Sequence, residues 1–198
     1  MIGTFFSGIL AIASAAGQPT TFAVPPTVEQ LTADCNRPVY ASDQLVCEDG
    51  ELRSLDAQLA GQVRDKPHLG TLEGSTYYEA QGAWFKRRSL CAMKSSHRQC
   101  LLTAYAERIR IVDAMGSITP TNQALKSCKP RKASEAIRLS RLSSDAILVA
   151  NLEGEVIGVA FQQDATKDWQ PFIRFEKNQS KVLLRGISNP IGKCPYPQ

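Results

Sequence analysis

Residues 34–60 read DCNRPVYASDQLVCEDGELRSLDAQLA, and the fold of the first half of the chain turns on this stretch. Cys35 and Cys47 lie 12 positions apart. Just behind them stands Asp49, whose short carboxylate can accept the free amide hydrogens that open a helix. Leu52, Leu55, Leu59 and Val63 then recur every three or four residues, which gathers apolar side chains on one helical face. Pro67 ends the run, since proline lacks the amide hydrogen a helix interior needs.

Working outward, the pattern predicts a second helix from about Thr71 to Met93, carrying Tyr78, Trp84 and Phe85. A third is expected from near Ser96, with Leu101, Tyr105, Ile109 and Val112 along one side. Cys91 and Cys100 then fall at facing ends of a helical hairpin. Residues 43–73 carry seven acids and three bases, whereas 86–110 carry seven bases and one acid, so Lys86, Arg87 and Arg88 are expected to face the acidic first helix. Exposed pairs of this kind contribute only about 0 to 1 kcal/mol each and favour orientation more than stability.

Beyond residue 116 the period changes. Ile137 and Leu139 alternate with polar neighbours, 146–152 and 155–163 flank a turn at Glu153-Gly154, and 172–176 and 181–187 flank Lys177-Asn178-Gln179-Ser180. The expectation is an α+β chain: a disulfide-stapled all-helical domain of about three helices followed by a small antiparallel β module of about five strands. Prolines set the divisions: a linker at 17–30, the helical domain at 31–115, a second linker at 116–130 and the β module at 131–198.

Residues 1–16, MIGTFFSGILAIASAA, combine a short apolar run with small residues at Ala13 and Ala15, the form of a secretory signal peptide. The run is too short to cross a bilayer, which takes about 20 helical residues. Cys35 follows Asp34 rather than the small residue of a lipidation box. The expected product is periplasmic or secreted, with no transmembrane anchor. Outside the reducing cytosol an even set of cysteines usually means disulfides, and the spacing favours Cys35–Cys47, Cys91–Cys100 and Cys128–Cys194. The two short loops would contribute about 3 kcal/mol each and the long one about 4 kcal/mol. A zinc site using Cys91, His97 and Cys100 is the competing reading; it has no recognisable fourth ligand.

The first half resembles the LprI-type family, the lysozyme inhibitor LprI N-terminal domains. The residues that carry the likeness are the run from Asp34 quoted above, then QGAWFKRRSLC from Gln81, then CLLTAYAERIRIV from Cys100. The resemblance implies a small, helical, disulfide-stapled envelope domain, a protein partner, and lysozyme inhibition as its activity. The second half resembles no family.

Length and composition argue for a folded chain: 198 residues, 43% hydrophobic and 21% charged, with a net charge of +4 that is too mild for a dedicated nucleic-acid binder. With His68 and His97 as its histidines, the chain shows no nucleophile elbow, metalloprotease helix, phosphate loop or dinucleotide fingerprint, so no enzyme, cofactor or metal centre is expected. Four places could meet a partner. The carboxylates Asp43, Glu48, Asp49 and Glu51 could face a basic protein or simply stabilise a helix N-terminus. Trp169 could serve recognition from a loop or pack inward. Lys129, Arg131 and Lys132 are either a contact or a solvated linker. Residues 116–198 hold 12 bases and 7 acids, net +5, which suits the alternative role of an envelope-stress or assembly factor binding an anionic polymer, lipid headgroups or another envelope protein.

Overall fold

The computed structural model describes residues 31–72, 74–117, 126–130 and 135–197. The proposed leader and linker at 1–30, and the basic residues Arg131 and Lys132, lie outside them. The chain enters through α1 (Asp43–Glu48) and turns at Asp49 into α2 (Gly50–Arg64). Asp49 is the expected cap: its Oδ1 accepts the amide hydrogens of Glu51 and Leu52, both at 3.0 Å. Leu52 and Leu59 are buried, with Leu55 and Val63 packed against the same core.

The helix expected over 71–93 does not form as one piece. A 3-10 turn covers Pro67–Leu72, the chain then reverses through Gly74 at φ +81°, and α3 begins only at Gln81 and ends at Ser89. A positive φ at Gly74 cannot belong to a helix, and the apolar spacing alone does not reveal the interruption. A second 3-10 turn, Leu90–Met93, leads to α4 (His97–Ala114), the longest helix described.

Charges hold these helices in register from inside. The buried Arg88 guanidinium pairs with Asp43 and donates to the Tyr105 hydroxyl; that hydroxyl donates to Asp56 Oδ1 at 2.7 Å, and Asp56 accepts the Ala33 amide at 2.9 Å. Burial pushes the Asp56 carboxyl up, while its hydrogen bonds from Tyr105 and Ala33 pull the other way. Beside this chain, buried Arg108 donates to Gln81 Oε1 at 3.0 and 3.1 Å and to the Tyr78 hydroxyl at 2.9 Å. Polar groups removed from water need such partners, so the network ties four separate stretches to one geometry.

Strands β1 (Lys126–Cys128), β2 (Ile137–Arg141), β3 (Ala146–Ala150), β4 (Val156–Gln162), β5 (Arg174–Asn178), β6 (Lys181–Arg185) and β7 (Pro190–Pro195) form one sheet in sequential order. Neighbours are antiparallel except β4 and β5, which run parallel through Phe161↔Arg174 and Gln162↔Phe175. Cys128 on β1 bonds to Cys194 on β7, so the two edges meet and the sheet curls into a nearly closed barrel.

This corrects the expectation of a small antiparallel module. The sheet is larger and mixed, and the helices pack against its β3–β4 face. β1 and β7 escape a reading of alternation because KSC and PIGKCP carry prolines, a glycine and cysteines, with Ile191 the one β-branched residue between them. The parallel pair arises because residues 163–173 cross back over the sheet instead of turning tightly; parallel neighbours cannot be joined by a two-residue turn.

Two cores meet at β3, all five of whose residues are buried. Ile147 and Val149 point into the barrel with Ile137, Leu139, Phe175, Val182 and Leu184. Ala146 and Leu148 point outward into the cluster that holds Trp84, Phe85, Leu101 and Tyr105 of the helices. The helical half also sends Tyr77 into the barrel core, against Gly158 of β4. A Cβ on Gly158 would come within 2.4 Å of the Tyr77 carbonyl oxygen, so this close approach requires glycine.

Candidate functional site

The crossover after β4 builds the principal groove among the described residues. Its floor and walls come from α2 (Glu51, Leu55), α4 (Leu102, Ala106, Glu107, Arg110), β4 (Phe161) and the 163–171 segment (Gln163, Asp164, Lys167, Trp169), enclosing about 830 Å³. Apolar side chains alternate in it with six charged ones, Glu51, Glu107, Arg110, Asp145, Asp164 and Lys167, in a concave surface of the kind that binds a partner or ligand.

Glu107 lies at its base. The side chain is buried, and its Oε2 accepts the Trp169 indole hydrogen at 2.8 Å. The Phe172 backbone amide approaches the carboxyl without closing a hydrogen bond to Oε1. Burial is the largest influence and raises the Glu107 carboxyl to about 7, against an opposing pull from the Arg87 guanidinium and the Trp169 hydrogen bond. Arg87 lies 3.9 Å from the Trp169 ring centroid, grips Glu79 with two hydrogen bonds of 2.8 and 2.7 Å, and donates to the Gln170 carbonyl oxygen at 2.7 Å. Trp169 is thereby clamped between α3 and α4.

At the rim Arg110 holds Asp145 through two hydrogen bonds, 3.0 and 3.1 Å, and lies over Phe161. The Arg110 hydrogen bonds, followed by that from Ser143, keep the Asp145 carboxyl down at about 2. Glu107 and Asp145 therefore sit at opposite ends of the carboxylate range. Asp145 is clamped by a guanidinium, and Glu107 Oε1 is buried without a hydrogen-bond partner among the described residues.

The residues singled out by sequence are not gathered in one place. Asp43 is buried against Arg88 and accepts the Val39 and Tyr40 amides, which takes it off the surface. Trp169 is also buried, as the groove's inner wall. Glu48 is exposed beside Gln44. Asp49 and Glu51 both bind Arg98, at 2.7 and 2.6 Å, and the Arg98 hydrogen bond is the main reason the Asp49 carboxyl falls below its usual range. Lys129 is exposed beyond β1. The six cysteines form the expected pairs, so the sulfurs of the zinc reading are bonded to each other, while His97 contacts the Ser42 hydroxyl at 3.1 Å.

Sequence reasoning passed over Glu107, Arg87 and Arg110 as site residues. One signal was present: Glu107 is the lone acid among seven bases in 86–110, and an acid in such company is either a surface accident or a buried partner.

Comparison with known proteins finds relatives over about half of the chain. Lipoprotein LprI of Mycobacterium bovis and of Mycobacterium tuberculosis is 31% identical over 108 residues, covering 54% of this chain and 53% of the relative. The chain thus spans about half the length of the curated relatives it matches. No family model matches it, and no solved structure does. The LprI likeness and the three disulfides are consistent with an extracytoplasmic location, and no described helix is long and apolar enough to cross a membrane.

Proposed function

We propose that this protein is an exported, non-enzymatic cell-envelope protein that inhibits a lysozyme by binding it. The observation that carries the reading is the likeness to Lipoprotein LprI, together with the quoted cysteine and tryptophan pattern, which resembles the lysozyme inhibitor domains of that family. The buried chain Asp43, Arg88, Tyr105 and Asp56 supports it as well: a rigid, stapled scaffold loses little order on binding, which favours affinity. The exposed acids Glu48 and Glu51 stand at the α1–α2 corner, and Glu51 continues into the groove. Many lysozymes are basic, and an acidic corner suits such a partner even though the whole chain carries +4.

Oxidised protein titrated into a lysozyme assay on a cell-wall substrate tests the proposal. Inhibition should appear at micromolar protein and weaken in Glu48→Gln/Glu51→Gln. Unchanged activity across the lysozyme classes rejects inhibition and leaves the fold standing.

A further inference from the structure

At the seam where β1 meets β7, Lys126, Lys181 and Lys193 line a concave surface of about 520 Å³, completed by Ser180, Pro195 and Tyr196. Across the β6–β7 ladder Lys181 faces Pro195, and Leu183 faces Lys193 two steps along. A fourth lysine joins from β5: the Lys177 ammonium sits 4.1 Å from the Tyr196 ring centroid. Among the described residues no carboxylate lines this surface, and none of the four lysines forms an ion pair.

Several bases elsewhere in the fold are neutralised by a partner, though, among the described residues, exposed lysines such as Lys86 and Lys94 are not. Arg87, Arg88, Arg98, Arg110 and Arg185 are each matched to an acid. Like charges brought together without counter-charge raise the local potential, and a concave wall concentrates it. Lysines often guard an open sheet edge against a further strand. Here Lys126 and Lys193 stand on the two terminal strands, joined through Cys128–Cys194, but Lys181 stands on the inner strand β6, where edge protection does not apply. Lysines act as compact point charges with three donors each, and clustered lysines are common binders of phosphate groups. The Tyr196 ring and Pro195 give the surface an apolar bed between the charges.

We infer that the β1–β7 seam is a binding site for a phosphate-bearing anion with several charged groups, held by Lys126, Lys181 and Lys193 with Lys177 at the edge. The inference stands apart from lysozyme inhibition, which is assigned to the other end of the chain. Isothermal titration of the oxidised full chain with tripolyphosphate, at low and at physiological salt, reads it directly; sedimentation with phosphatidylglycerol vesicles forms the second arm. Binding should weaken as salt rises. Lys126→Gln/Lys181→Gln/Lys193→Gln should lose about tenfold in affinity, while the exposed control pair Lys86→Gln/Lys94→Gln changes it by less than about twofold. These are surface substitutions, and matching circular dichroism verifies that each variant is folded. Vesicle binding with the same lysine dependence assigns the phosphate to a lipid headgroup; tripolyphosphate binding without it assigns a soluble phosphate chain. Binding of neither probe, or equal loss in the control pair, overturns the inference.

Discussion

Replacing Glu107 with Gln isolates the group that joins the helices to the crossover. In the folded protein this carboxyl holds its proton up to about pH 7, whereas in the unfolded chain it releases it near the ordinary 4.5. Between those two values the folded state binds more protons than the unfolded one, so stability falls as pH rises through that window. At about 1.4 kcal/mol per pH unit, the loss sums to about 3 kcal/mol and is complete above pH 7. Gln cannot ionise, yet its Oε1 can still accept the Trp169 hydrogen. The stability of Glu107→Gln relative to the parent should therefore be flat below about pH 4.5, improve by about 3 kcal/mol as pH climbs to about 7, and flatten again. Urea denaturation of both oxidised proteins across that range measures it, and subtraction removes the titrations they share. A difference constant to within about 0.5 kcal/mol would show that Glu107 titrates in the fold as it does in the unfolded chain and would refute the reasoning.

Arg88→Ala leaves buried Asp43 without its counter-charge and should cost about 3 to 5 kcal/mol in chemical denaturation, whereas Arg98→Ala, which removes an exposed pair with Asp49 and Glu51, should cost about 0 to 1 kcal/mol. Gly158→Ala forces β4 away from the Tyr77 backbone and should lower stability by about 1 to 3 kcal/mol, seen as a fall in Tm with the disulfides intact. Replacing Cys128 and Cys194 together by Ser opens a loop spanning 66 residues, and the denaturation free energy should drop by about 4 kcal/mol.

The groove and the lysine seam lie on different parts of the molecule and differ in charge. The groove mixes Glu51, Glu107, Asp145 and Asp164 with Arg110 and Lys167, most of them already paired, which suits a surface that recognises shape and a few donors. The seam is purely basic. Three of the twelve bases of residues 116–198 line it, and Lys129 is not among them.

What was legible in the chain is what acts over a few residues. Asp49 caps α2 because its own side chain reaches amides two and three positions on, and the leucine spacing announces the buried face without help from elsewhere. The Glu153-Gly154 turn is similarly local, with Gly154 at φ +91°. The sulfur pairing also followed from spacing, since short loops close most readily. Tertiary structure alone decided the rest. Glu107 and Trp169 are 62 positions apart, and nothing in either neighbourhood says that one will receive the other's hydrogen. The charge balance led Arg88 to be expected against the acidic first helix, but only the fold buried Asp43 with it, from 45 positions away. The parallel β4–β5 pair, the barrel closure and the core shared across β3 depend on where long segments return in space, and that is set by the sum of many weak contacts rather than by any short stretch of sequence.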